Sequence, residues 1–220
     1  MPKVTEEFLL AKREEIIDAC ASLYETMSFK DITFKEIANA TSLNRTSIYN
    51  YFDTKEEIFL AYMQREYELW IKDLEHLCKT KKILSRVELA DELAKSLERR
   101  GKLLKLMTMN HFDMEGNSRY EQLVDFKRVY GKSIRAVKKC LDKFCQDMTE
   151  EAKQGFLYAF FPFIYGIYPY VAVSDKQREA MEEAKVGYVY HSIYELSYNC
   201  LIKLLCHLLL LFHFLYIQLS

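Results

Sequence analysis

The chain has 220 residues, half of them hydrophobic, and a formal net charge of −1. That length and apolar content support one large domain, or a small domain with a mid-sized one, and exclude an intrinsically disordered chain. The near-zero charge excludes nucleic-acid binding driven by global charge alone, and the six glycines and three prolines favour long helices over many short strands.

Residues 5–27 predict a first helix, because Ile16, Cys20, Leu23, Tyr24 and Met27 recur at spacings of three and four between charged residues. "SFKDI" interrupts that pattern, and Thr33 begins a short helix, "TFKEIANAT", with Glu36 at capping-box distance. "SLN" is a tight connection in which Asn44 is the expected N-cap of another short helix over 45–51. Thr54 and Glu57 form a second capping box, opening a long amphipathic helix to about residue 78. "KTKKILS" is a solvated basic linker. Residues 86–100 and 102–112 predict two further helices, and "DMEGNS" a loop. A long helix is expected from Ser118 to about Asp147, another over 149–173, and a last one from "SDKQ" past residue 200. There is no convincing strand and no internal repeat, so the expected fold class is all-α.

Residues 33–52 have the spacing of a helix-turn-helix, whose second helix can enter the major groove of DNA. At about 100° per residue, Ile48 and Phe52 share the inward side. Thr46, Ser47 and Asn50 point broadly away from it. Arg45 and Tyr49 share one flank of the buried stripe, and Tyr51 lies on the other. Arg45 can bind guanine or phosphate, and Thr46 and Ser47 can donate to phosphates or base edges. The first 60 residues carry seven basic and eleven acidic side chains, which argues against DNA, but residues 33–55 have a local balance of +1.

The segment "ITFKEIANATSLNRTSIYNYFDTKEEIFLAYM" resembles the N-terminal domain of the tetracycline-repressor-like (TetR) family of transcriptional regulators. The shared pattern is Ile37-Ala38, a turn, Ile48-Tyr49, Phe52, Lys55 and Glu56-Glu57, and it covers about residues 8–63. The resemblance implies that Tyr49, Lys55 and Thr33 match contacts to the DNA backbone. It also implies that Lys35, Arg45, Thr46 and Ser47 match positions that read bases or nearby phosphates. Tyr51 is either a further DNA contact or a cover for the first helix. The family usually has glycine in the turn where this chain has Ser42. A side chain there is costly if φ is positive.

The resemblance further implies a DNA-binding domain over 1–55 and a helical regulatory domain over 56–203, leaving an apolar tail over 204–220. It implies a homodimer through the last two long helices, roughly 149–173 and 175–203. It also implies a pocket for a small-molecule inducer, with Trp70, Met107, His111, Phe126, Tyr130, Phe161 and Tyr165 as candidate lining. Met and aromatic side chains make adaptable apolar walls, but the same residues at helical spacing also suit a plain core.

The expected function is a ligand-responsive repressor of a palindromic double-stranded DNA operator. The alternative is a helical interaction module whose helix-turn-helix no longer binds DNA. The six cysteines form no C-x-x-C pair and suit buried free thiols in the cytoplasm. The uncharged runs 156–173 and 204–217 are 18 and 14 residues long. The first is broken by Pro and Gly and the second is too short to span a bilayer, so no membrane partner is expected. No cofactor is called for. The chain has no glycine-rich phosphate loop, no H-E-x-x-H and no G-x-S-x-G, so no enzyme activity is expected.

Overall fold

The structure is a computed structural model that describes residues 5–109 and 111–206, with side chains for all of these except 111–113. Among the described residues it is all helical, with no strand. The helices are α1 (Glu6–Thr26), α2 (Phe34–Asn39), α3 (Arg45–Ile48), α4 (Lys55–Thr80), α5 (Arg86–Glu98), α6 (Gly101–Met107), α7 (His111–Gly116), α8 (Tyr120–Phe144), α9 (Glu150–Gly166), α10 (Tyr168–Val171), α11 (Asp175–Glu183) and α12 (Ile193–Cys206).

The chain divides into two compact units. Unit 1 takes the described residues up to Arg65 together with Met109–Tyr130, and unit 2 takes Glu66–Thr108 with the described residues from Gly131 onward. Unit 1 thus recruits α7 and the start of α8, a segment far away in sequence. The boundary expected at residue 55 falls at the start of α4, which continues unbroken to Thr80.

In unit 1, Ile16, Ile17 and Cys20 of α1 are buried with Ile32, Ile37, Ile48, Phe52 and Phe59. Tyr24 and Phe29 meet the Phe59 ring edge-on, with centroids 5.1 and 4.9 Å away, a favoured aromatic geometry. In unit 2, α12 packs along α5, and α9 contacts both α6 and α12. Trp70, Phe156, Phe160 and Phe161 form its aromatic centre, with neighbouring centroids 5.4–6.4 Å apart.

Several helix boundaries differ from the sequence reading. The second helix of the motif is only Arg45–Ile48, and residues 49–52 close as tighter turns, with Asn50 N–H donating to Ser47 and Tyr51 N–H to Ile48. "DMEGNS" is largely helix, as part of α7. The helix expected at 102–112 ends at Met107, where the Thr108 hydroxyl donates to the Lys105 carbonyl. The helix expected over 149–173 stops at Gly166 and restarts as α10 with proline in its first turn. Pro169 has no N–H to continue the ladder, whereas a first-turn position tolerates it. Pro162 is accepted inside α9 because the carbonyl it leaves unpaired, that of Tyr158, lies on the exposed side.

The last expected helix is also split. Lys185 and Gly187 adopt φ of 53° and 66°, and the Val186 N–H reaches back to the Met181 carbonyl. Such a closure around a left-handed residue ends a helix. The tail expected at 204–220 lies outside the described residues from 207 onward.

Candidate nucleic-acid interface

The helix-turn-helix is built from local caps. The Thr33 hydroxyl accepts from Lys35 N–H at 3.2 Å and donates to the Glu36 carboxylate, so the expected cap forms with Glu36 engaged through the hydroxyl. The Asn44 side chain accepts from Ser47 N–H at 2.8 Å, the N-cap expected for α3. Between them Ser42 occupies the turn without a left-handed backbone, so the cost tied to replacing glycine does not arise. Two residues of α1 hold Ser42 instead. The Lys12 ammonium donates to its hydroxyl at 2.7 Å, and the Glu15 carboxylate accepts from its N–H. The Lys12 hydrogen bond, followed by the Ser42 N–H, pulls the Glu15 carboxyl down to about 2.

Ile48 and Phe52 are fully buried, pinning α3 to unit 1 from below. Arg45, Thr46 and Tyr49 are exposed, as are Thr33 and Lys35, while Ser47 is half-buried. Tyr49 keeps 47% of its surface exposed although its ring rests on Phe34, with centroids 4.6 Å apart. That contact fixes the ring and leaves one side open. Thr33, Phe34, Arg45, Tyr49, Thr54 and Lys55 border an open surface hollow of about 290 Å³, together with the acids Asp53 and Glu56. Four of the eight sequence-predicted interface residues therefore meet around one feature. Lys35, Thr46, Ser47 and Tyr51 lie outside its lining.

Lys55 turns inward more than the sequence suggested, and Tyr51 engages through its backbone. The Lys55 ammonium donates to the carbonyls of Phe29 at 2.8 Å and Ile32 at 3.2 Å, and sits 4.2 Å from the centre of the Phe29 ring. It ties the start of α4 to the segment before α2. Tyr51 is half-buried, and its carbonyl accepts from Arg119 at 3.5 Å.

Arg119 and Glu57 are the pair that sequence reasoning missed. Glu57 is fully buried. Its carboxylate accepts two bonds of 2.7 Å from the Arg119 guanidinium, one of 2.9 Å from Arg119 N–H and one of 2.9 Å from Asp53 N–H. The expected box between Thr54 and Glu57 is therefore half formed. Glu57 N–H donates to the Thr54 hydroxyl at 3.2 Å, but the carboxylate reaches back to Asp53. The Thr54 hydroxyl also donates to the Asn117 carbonyl at 2.9 Å. Burial alone would raise the Glu57 carboxyl, but the Arg119 hydrogen bonds outweigh it and hold the group below the usual glutamate range. A carboxylate at helix position 57 reads as a capping residue, and only the tertiary arrangement supplies an arginine 62 positions later.

The candidate ligand residues divide between the units. Trp70, Met107, Phe161 and Tyr165 belong to unit 2, and Phe126 and Tyr130 to unit 1, while the His111 side chain is not among those described. Trp70, Met107, Phe126 and Phe161 are buried, and Tyr130 and Tyr165 half-buried. Trp70 Nε1 donates to the Ser96 hydroxyl at 3.0 Å, and the Tyr67 and Tyr165 hydroxyls are 2.8 Å apart.

Residues 16–62 match the family model of bacterial regulatory proteins of the tetR family. Residues 64–192 match the tetracyclin repressor-like C-terminal domain. The transcriptional repressor Rv1474c of Mycobacterium tuberculosis is 28% identical over 68 residues, covering 31% of this chain and 36% of that protein. The transcriptional regulator YfiR of Bacillus subtilis is 24% identical over 97 residues, covering 44% and 47%. The matched region thus spans less than half the length of either relative.

Two solved structures share the fold. The regulator FadR from Bacillus subtilis in complex with stearoyl-CoA gives a TM-score of 0.58 at 16% identity, over 88% of this chain and 97% of that one. The repressor FadR from Thermus thermophilus in complex with lauroyl-CoA gives 0.54 at 18%, over 88% and 93%. With family models matched on both the helix-turn-helix and the larger helical region, the chain belongs to the TetR family of bacterial transcriptional regulators.

Proposed function

We propose that this protein is a dimeric transcriptional repressor that reads a palindromic operator with α3 and the residues around it, and releases it on binding a hydrophobic small molecule. The observation that carries the reading is the common hollow of Thr33, Arg45, Tyr49 and Lys55 beside a helix held by two buried pins. Arg45 offers a planar cation to guanine or phosphate, and Tyr49 a hydroxyl on a half-exposed, braced ring. Lys55 acts mainly by positioning, since carbonyls of unit 1 already occupy its ammonium.

A palindrome requires two copies. Supporting a dimer, the exposed side of α9 from Gln154 to Pro162 is uncharged and includes Tyr158, 72% exposed, with Ala159 and Pro162. The ligand class we put first is a fatty acyl thioester, on the likeness of fold to the two FadR complexes. In this scheme ligand favours a half-site spacing that no longer matches successive major grooves, about 34–36 Å apart. By linkage, DNA weakens ligand binding to the same degree.

The test is selection of bound sequences from random DNA, followed by binding of the selected palindrome to Tyr49→Ala and Arg45→Ala. Both variants are expected to lose operator binding while retaining the wild-type helical signal. Wild-type affinity in both would overturn the interface. Wild-type binding should fall steeply with salt, as phosphate neutralisation demands. A monomer in solution at micromolar concentration would overturn the dimer, and an operator complex indifferent to acyl-CoA would overturn the ligand class alone.

A further inference from the structure

Two thiols outside the DNA-binding reading lie against each other in unit 2. Cys78 is in the last turn of α4 and Cys140 near the end of α8, with Sγ atoms 3.3 Å apart and either able to donate. Cys140 is fully buried and Cys78 is 8% exposed. Cys78 also lines a groove of about 200 Å³ whose charged borders are Lys132, Arg135, Lys139 and Glu75. Lys143 donates to the Cys78 carbonyl. Cys78 thus belongs to the wall of a largely cationic groove, and the fully buried Cys140 does not.

We propose that Cys78 and Cys140 form a reversible dithiol–disulfide site for hydroperoxide-class oxidants, with Cys78 as the attacking thiolate and Cys140 as the resolving thiol. Thiolate character and access set reactivity, and both single out Cys78. The hydrogen bond from Cys140 and the nearby lysines Lys143 and Lys139 lower its pKa, against burial and Glu75. The Cys140 thiol is pushed up by its bond to Cys78 and by burial, so it keeps its proton until the second step.

In the first step the Cys78 thiolate attacks one peroxide oxygen, and the O–O bond breaks. A sulfenic acid forms, and hydroxide leaves to take up the proton that Cys78 gave. In the second, Cys140 sulfur attacks Cys78 sulfur and the S–O bond breaks. The departing hydroxide takes the Cys140 proton as water. The two sulfurs together lose two electrons and the peroxide gains them. The sulfurs close from 3.3 Å to a bond of about 2.0 Å.

The experiment exposes the full-length reduced protein to hydrogen peroxide, with glutathione as an internal reference, followed by peptide mapping without reductant. The expected result is loss of two hydrogens, a Cys78–Cys140 linked peptide formed before glutathione is consumed, and its reversal by dithiothreitol. In Cys140→Ser, dimedone should capture a sulfenic acid at Cys78, and in Cys78→Ser neither product should form. Alkylation of the wild type under denaturing conditions, after peroxide is quenched, gives a second readout that does not depend on the variants folding, with both cysteines losing reactivity together. Cys78 and Cys140 still alkylatable once glutathione is oxidised, or a link mapping only to the more exposed Cys200 and Cys206, would overturn the proposal.

Discussion

The recognition segment of unit 1 and the aromatic centre of unit 2 hold their residues by opposite means. Around α3 only Ile48 and Phe52 are fully buried, and much of the restraint is polar. Lys12 and Glu15 hold the turn at Ser42, Asn44 caps the helix, and Glu57 with Arg119 grips the turn at Asp53 and the Tyr51 carbonyl. In unit 2, Trp70, Phe156, Phe160 and Phe161 pack ring against ring, with one hydrogen bond from the indole. Area burial is non-directional and tolerates slippage, whereas hydrogen bonds fix a backbone in space with few atoms. A helix of four residues that must leave most of its surface for another molecule has little choice but the second kind.

This contrast is easiest to break at its extremes. Trp70→Ala removes the largest buried ring and leaves the Ser96 hydroxyl short of a donor, at an expected cost of about 4 kcal/mol. Urea denaturation measures it, and a loss below about 1 kcal/mol would show that the aromatic centre is not the principal core of unit 2. Glu57→Gln is expected to cost about 2 kcal/mol, because charged hydrogen bonds weaken and one amide hydrogen meets the Arg119 guanidinium. Operator binding should weaken with it, since the turn beside Tyr49 is loosened. Unchanged stability and unchanged operator binding would together remove the brace from the interface.

The same polar restraints make unit 1 acid-sensitive. Glu57 and Glu15 both have folded-state values below their ordinary ones. The stability they contribute is present in full above about pH 4.5, the ordinary glutamate region. It is lost as pH falls through the folded-state values, which for Glu15 means down to about 2. Acid titration of Glu57→Gln, followed by circular dichroism, should show a shallower loss of stability below pH 4.5 than wild type.

Asn44→Ala removes a single cap and should cost about 1 kcal/mol. Urea denaturation is the readout, and an unchanged stability in the variant would mean the cap is dispensable. The smallest stability effect belongs to Arg45→Ala, within about 0.5 kcal/mol, because the side chain is exposed. It sharpens the comparison most, since the same variant is expected to lose the operator. A large stability loss would instead place Arg45 among the structural residues.

Much of unit 1 was legible in order. Thr33 and Asn44 were identifiable as caps because capping chemistry is local, and Ile48 and Phe52 as pins because helical period is local. The flank shared by Arg45 and Tyr49 followed from the same period. The Cys78–Cys140 contact was not legible, because each cysteine alone reads as a small apolar residue in a helix. Nor was the role of Lys55, since its acceptors are carbonyls, which every residue offers and no sequence pattern marks. The long terminal helix failed at Lys185 and Gly187 because a periodic pattern does not show where φ changes sign.

By itself the sequence determined the helical class, the helix-turn-helix and the exposed edge of α3, all consequences of spacings within four residues. Only the tertiary structure decided that Glu57 belongs to Arg119, that Ser42 takes no left-handed backbone and is held by Lys12 and Glu15, and that two thiols from separate helices meet. Those outcomes depend on side chains brought together across 62, 30, 27 and 62 positions. Over such separations the packing of whole helices, and not local propensity, selects which partners meet.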